Sequence, residues 1–187
     1  AGMLATGAII SAVAQKIRDH RLKNVVVDPV MVATSGDLLI KKNAAAALRL
    51  ELIPLATVVT PNIPEAEELT GMKIRGGEDI GKAARRMIDM GARSVVIKGG
   101  HLKGPAVDLF FDGKNMRVLV APRIRTRNTH GTGCTFSAAI AAYLARGEVL
   151  ESAVRAAKRY LTEAIRSGYR IGAGHSPVHH FHGFWKD

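Results

Sequence analysis

Four polar residues stand at the ends of apolar runs, where a strand would hand over to a loop. Asp28 ends "VVVD", Asn62 and Glu65 follow "TVVT", and Lys98 ends "SVVIK" just before Gly99 and Gly100. In a parallel sheet, ligands gather beyond the carboxyl ends of the strands, so these positions carry more weight than polar residues elsewhere. A further feature is Gly131-Thr132-Gly133-Cys134, which opens an apolar, helix-forming stretch. Glycines there let the backbone turn tightly, and the first turn of the helix points free N–H groups at an anion. Two carboxylates suit a hard metal ion, an ammonium group offsets phosphate charge, and a helix N-terminus receives phosphate oxygens. Together these are the parts required for phosphoryl transfer from a nucleotide.

Each part also has a plainer reading. Asp28 before Pro29 shapes a turn, Glu65 favours a helix dipole, Lys98 is a solvated charge, and Cys134 is a small apolar filler. A lone Gly-x-Gly before a helix is a weak signal. The combination is stronger than its members because all four groups fall at the same edge of one expected sheet. The histidines at 179, 180 and 182 of "PVHHFHGFW" do not have the one-face spacing of a zinc site, and no cysteine lies near them. A packed C-terminal tail is expected instead, with Phe181, Phe184 and Trp185 as its anchors.

Helix-period segments alternate with short β-rich runs, the pattern of βαβ units and of a mostly parallel sheet. The expected order starts with a helix from Gly7 to His20, a strand in "NVVVDPVM", a helix in "KKNAAAALRLEL" and a strand in "TVVTPN". A short helix in "PEAEELTG" has Pro64 in its first turn and Gly71 as its stop. A helix from Glu78 to Met90 and the strand "SVVIKGG" follow. The strands "AVDLFFD" and "MRVLVAPRI" are joined by a turn at Asp112-Gly113, and two helices close the chain. In the last helix Val149, Leu150, Ala153, Val154, Ala157, Tyr160, Leu161, Ala164 and Ile165 form one apolar stripe, read as core contact. With no repeat or linker, residues 1–187 read as a single α/β domain.

Composition narrows the function classes. The chain is 47% apolar and 23% charged, an ordinary globular balance. Its apolar runs are too short to span a bilayer, its start lacks a basic region, and its one cysteine allows no internal disulfide, so a cytoplasmic protein is expected. The net charge of +11 invites a nucleic-acid reading, but the basic residues are spread over helix faces without aromatic interleaving. No specific nucleic-acid binding is expected, and the charge is read as a basic surface attractive to anionic substrates.

The motifs "DPVMVATSG", "TPNIPEAEELTG", "VIKGGH", "THGTGCTFSAAIAAYLARG" and "PVHHFHGFW", in this order, resemble the hydroxymethylpyrimidine kinase/phosphomethylpyrimidine kinase family of thiamine biosynthesis, within the ribokinase-like superfamily. The resemblance implies a three-layer fold, ATP and Mg2+ as cofactors, and phosphorylation of 4-amino-5-hydroxymethyl-2-methylpyrimidine and then of its monophosphate. It implies Asp28 and Glu65 at the metal, Asn62 supporting them, and Lys98 on the nucleotide phosphates. It further implies Gly131, Thr132 and Gly133 as the anion hole, Met3 facing the pyrimidine, and Cys134, in place of the superfamily's usual aspartate, beside the accepting oxygen. A homodimer is expected. The family pattern begins well before the position matched by Ala1, so the N-terminal part of the fold, with most pyrimidine contacts, is expected to be absent from this chain. A pyridoxal or pyridoxine kinase is the nearest alternative, and a non-catalytic ligand-binding module that keeps the fold is the other.

Overall fold

The computed structural model describes residues 1–31, 42–100 and 104–185. Val32–Gly36 of "DPVMVATSG" and His101 of "VIKGGH" lie outside the described residues. The elements are α1 (Gly7–Asp19), β1 (Val26–Val27), α2 (Lys42–Ala47), β2 (Val58–Val59), α3 (Ile63–Thr70), α4 (Gly77–Asp89), β3 (Val95–Lys98), β4 (Ala106–Phe111), β5 (Met116–Ala121), α5 (Thr132–Ala145) and α6 (Leu150–Arg166). The five strands lie in the order β1-β2-β3-β4-β5. β1, β2 and β3 are parallel, which brings the chain segments after all three to the same sheet edge. β4 runs antiparallel to β3, in register from Val95 opposite Phe111 to Lys98 opposite Asp108.

The chain divides into two compact units, Ala1–Leu102 with Val107–Val118, and Lys103–Ala106 with Leu119–Asp187. In the first unit, Val27, Val59, Val95 and Ile97 share a core with Ile10 and Ala14 of α1, Leu69 of α3 and Met87 of α4. Ile10, Ala14 and Ile17 recur at helical spacing, and Thr6 caps α1 by accepting the Ile9 N–H. In the second unit, Phe136 and Ile140 of α5 and Ala153, Val154, Ala157 and Ala164 of α6 are buried.

The helix expected over 41–52 is α-helical only to Ala47 and then widens into a π-helical turn over Leu48–Leu52 and a tight turn over Ile53–Leu55. Pro54 is the physical reason, since it offers no N–H to the carbonyl one turn back and its ring crowds that carbonyl. Val149, placed on the apolar stripe of α6, is 71% exposed because it occupies the extended N-cap position outside the helix. The tail is anchored differently from expectation. Phe181, Phe184 and Trp185 are exposed, whereas Val178 and His179 are buried. The His179 N–H donates to the Ala164 carbonyl of α6, and the Trp185 ring packs edge-on to the His179 ring at 4.8 Å. A main-chain bond and the buried imidazole fix the tail together with Trp185, whose ring also stacks on Tyr169 at 6.1 Å.

Candidate active site

In the first unit the site is built on three parallel strand ends. Asp28 directly follows β1, Asn62 lies shortly after β2, and Lys98 closes β3. The Lys98 N–H donates to the Pro61 carbonyl at 2.8 Å, and Asn62 and Lys98 form a parallel bridge, so the second and third strand ends are tied together. The Lys98 ammonium crosses to Asp28 and donates to its Oδ1 at 2.8 Å. The lysine side chain is 16% exposed and the aspartate 6%, so solvent screens this pair weakly. Removing either partner from a buried pair costs about 3–5 kcal/mol, because the other charge is left without compensation.

Glu65 is oriented by local sequence. Asn62 is the N-cap of α3 and accepts the Glu65 N–H at 2.8 Å, while Glu65 Oε2 accepts the Asn62 N–H at 2.8 Å, a reciprocal capping box. Pro64 suits the first turn because a helix N-terminus needs no N–H there, and Gly71 ends α3 in the left-handed region at φ 70°. The other carboxylate oxygen, Oε1, accepts the Met31 N–H at 3.2 Å. Glu65 therefore ties the start of α3 to the turn that follows Asp28. Burial pushes its carboxyl pKa up. Lys98 and the Asn62 amide oppose that shift, Asp28 adds to it, and the Met31 amide opposes it weakly.

The Asp28-Pro29-Val30 turn carries strain. Val30 has φ 41°, a left-handed conformation that costs a β-branched residue energy and persists only where its surroundings impose it. Beside it runs the chain start: the Asp28 N–H donates to the Ala1 carbonyl, and a Cβ placed on Gly2 would lie 3.5 Å from Val30 Cγ2 and 3.7 Å from Asp28 Cβ. Met3 follows, 66% exposed. The structure thus brings Asp28, Asn62, Glu65 and Lys98 together, with Ala1 and Gly2 against the Asp28 turn and Met3 following them in the chain.

The bonds that Lys98 and the Thr60 hydroxyl give to the Asp28 carboxylate both use Oδ1. Oδ2 is the hard oxygen that a magnesium ion would take. Glu65 has both oxygens on backbone amides, and each keeps a second lone pair. That donor set fits a hard cation, which Asp28 and Glu65 would hold, in keeping with the few protein ligands magnesium takes. Among the described residues no group of three or more His, Cys, Asp or Glu is arranged to hold a metal.

The glycine loop belongs to the second unit. Gly131 is the N-cap of α5 with φ 78°, and the left-handed turn there needs glycine. Thr132 starts the helix, and its N–H donates back to the Thr129 carbonyl at 3.4 Å. The tail holds this loop from one side. The His130 N–H donates to the Ser176 carbonyl at 3.1 Å, and the Thr135 hydroxyl lies 3.1 Å from His180 Nε2. Cys134 is exposed, so it is not the buried apolar filler of the plainer reading. A concave apolar surface of about 550 Å³ begins at Cys134 and Thr135 and runs along α5 to Tyr143, with Tyr160 and His180 at its rim.

Several site residues were missed by the sequence reading. Thr60 has its hydroxyl 3.3 Å from Asp28 Oδ1 and 3.4 Å from the Val27 carbonyl; it ends the same apolar run that pointed to Asn62. Asp108, 5% exposed, accepts the Gly99 N–H at 3.0 Å. Its signal was a carboxylate inside "AVDLFF", where a buried polar group needs a reason. His180 was legible only as one of the three histidines of "PVHHFHGFW", and Ser176 lies just before that motif.

The family model described as phosphomethylpyrimidine kinase matches residues 1–179. The hydroxymethylpyrimidine/phosphomethylpyrimidine kinase of Rhizobium meliloti is 55% identical over 190 residues, covering 100% of this chain and 71% of the relative. The thiamine biosynthesis bifunctional protein ThiED of Geobacter sulfurreducens is 53% identical over 180 residues, covering 96% of this chain. The chain spans 37% of that relative's length. Among solved structures, the ADP complex of Bacillus subtilis pyridoxal kinase superposes with a TM-score of 0.92 at 42% identity, covering 99% of this chain and 70% of that one. The α/β fold, with its mostly parallel sheet flanked by helices, is ribokinase-like, a class of small-molecule kinases. Within that class the chain belongs to the phosphomethylpyrimidine kinase family, whose members are phosphotransferases.

Proposed function

We propose that this chain serves ATP-dependent phosphorylation of 4-amino-5-hydroxymethyl-2-methylpyrimidine, and of its monophosphate to the diphosphate, in thiamine biosynthesis. The observation that carries the reading is the buried Asp28–Lys98 pair at 2.8 Å beside Glu65, at the carboxyl edge of three parallel strands. Lys98 holds nucleotide phosphate charge, for which it exchanges its bond to Asp28. Asp28 and Glu65 hold the magnesium ion, which supplies charge neutralisation on the phosphoryl oxygens when bound. Asn62 fixes Glu65 through the capping box. Gly131, Thr132 and Gly133 offer the first-turn amides of α5 to anionic oxygens as negative charge develops. Met3 faces the pyrimidine.

Cys134 stands beside the accepting oxygen. In the first reaction a primary alcohol loses its proton as its oxygen bonds to the γ-phosphorus and the bond to ADP breaks, so a positioned base helps. In the second reaction the attacking oxygen belongs to a phosphate monoester, already ionised near neutral pH. Cys134→Ala is therefore expected to lower kcat for the alcohol at least about tenfold more than kcat for the monophosphate, within the usual range of a general base. Equal losses on the two substrates would remove Cys134 from that role.

The pyridoxal kinase resemblance supports a second reading, and one experiment separates the two. Phosphate transfer from ATP to the hydroxymethylpyrimidine, its monophosphate and pyridoxine is measured side by side. The expected result is turnover of both pyrimidines with kcat/KM above that for pyridoxine; the reverse order would favour a pyridoxine kinase, and ligand binding without turnover a non-catalytic module. A single kinase domain, a homodimer and a cytoplasmic location belong to the same proposal. Val118 and Val120, exposed on one face of β5, are apolar surface that a second copy would cover.

A further inference from the structure

We propose that Asp108 is a positioning residue for Lys98, acting through the main chain of Gly99; this rests on the nucleotide role given to Lys98 above. Lys98 opposite Asp108 is the last pair of the β3–β4 ladder. Beyond it the chain leaves the sheet, and Gly99, which is buried, would otherwise have to find a partner for its N–H outside the ladder. The Asp108 carboxylate supplies it, accepting that N–H at 3.0 Å. A carboxylate buried to 5% exposure is expensive, and an apolar residue would suit the alternation of "AVDLFF" better. Among the interactions of the carboxylate is a charge-assisted bond one residue after Lys98, from the strand that pairs with it.

Lys98 is thereby held on both sides. The Lys98 N–H is bonded to the Pro61 carbonyl, and the next N–H is bonded to Asp108. With its backbone pinned at consecutive amides, the side chain leaves the strand at a fixed point and delivers its ammonium to Asp28 at 2.8 Å, or to phosphate when a nucleotide arrives. Loosening Gly99 would let the strand end fray and spread the ammonium over several positions, a loss felt by nucleotide more than by the acceptor alcohol.

The test combines Asp108 variants of the full chain, a Lys98→Gln background and hydrogen exchange at the Gly99 amide. Asp108→Asn keeps an oxygen for the Gly99 N–H and is expected to hold nucleotide KM within about twofold. Asp108→Ala removes the acceptor and is expected to raise the KM for ATP about tenfold, leaving the KM for the alcohol within about twofold. Asp108→Leu, nearly the same shape and apolar, replaces the alanine variant if that one does not fold. On a Lys98→Gln background the effect of losing Asp108 on nucleotide KM should shrink to less than about twofold, because the group it positions is gone. Additive effects, equal KM changes for both substrates, or an asparagine variant as damaged as the alanine would each overturn the proposal. Direct ADP titration reads the same variants without any acceptor, so a wrong acceptor assignment leaves this test intact. Hydrogen exchange at the Gly99 amide of the unaltered protein reads the bond itself. Protection lost in Asp108→Leu and kept in Asp108→Asn is expected, and a fast-exchanging Gly99 amide in the unaltered protein would refute the assignment even if no nucleotide were bound.

Discussion

At the residue scale, Glu65 does two things that pull against each other. Its ionised form accepts two backbone amides, from Asn62 and Met31, yet burial favours its neutral form and raises its pKa. A raised folded-state pKa means that the folded chain binds the proton more tightly than the unfolded chain. The associated stability is fully present below the unfolded value of 4.5 and is lost as pH rises through the raised folded value. Glu65→Gln removes this titration. Relative to that variant, the unaltered chain should gain stability on acidification from neutrality to the unfolded pKa and show a constant difference below it, as read by denaturant melts across pH. Glutamine also turns an NH2 toward one of the two amides, so at neutral pH the variant should be less stable by about 1–3 kcal/mol, the cost of an unsatisfied buried donor. A pH-independent difference between the two proteins would show that Glu65 does not titrate in this range.

At the element scale, α3 carries the site because its N-terminus is locked. The capping box, Pro64 in the first turn and the left-handed Gly71 together fix where the helix begins and ends. Asn62→Ala should destabilise the chain by about 0.5–2 kcal/mol, the usual cost of a lost N-cap. It should also weaken metal-dependent activity, because Glu65 loses the residue that orients it. Thermal melts and a magnesium titration of turnover check the two parts, and a melting change without a change in magnesium requirement would leave the cap purely structural. α5 works differently. It has no side-chain N-cap bond, and its start is set by Gly131 and by the tail segment at Ser176–Pro177. The start of α5 is thus fixed by main-chain bonds, the Thr132 N–H donating to the Thr129 carbonyl, whereas α3 uses its own N-terminal amides to hold a carboxylate.

At the scale of the whole molecule, the net charge of +11 favours the approach of anions. A surface of one predominant sign raises the local concentration of ions of the other sign, and salt screens it over about 10 Å at 0.1 M ionic strength. The kcat/KM for ATP and for the monophosphate should fall as ionic strength rises, while that for the uncharged alcohol, at saturating ATP, should change little. Steady-state rates over a salt series check this; parallel declines for all three substrates would point to a salt effect on the fold rather than on encounter. No helix among the described residues is long and apolar enough to cross a membrane.

The sequence by itself determined the element order, because hydrophobic period, Pro and Gly act locally. α1, α3 and α4 fall within a residue or two of expectation, and Gly71 and Pro64 act where chain chemistry puts them. It also made Asp28, Asn62, Glu65 and Lys98 candidates, since polar residues closing apolar runs mark strand ends. What tertiary structure decided was partnership. That Lys98 pairs with Asp28, seventy positions away, and that Glu65 reaches the Met31 amide depend on which strands lie side by side. Thr60 and Asp108 gained their roles in the same way, from neighbours supplied by the sheet. The strained Val30 turn could not be read in advance, because no local preference places a β-branched residue at positive φ; only surrounding contacts hold it there. The tail's buried anchors, Val178 and His179, were hidden for a related reason: burial belongs to the assembled chain, and of the more conspicuous aromatics Trp185 packs on His179 and Tyr169 while Phe181 and Phe184 are exposed.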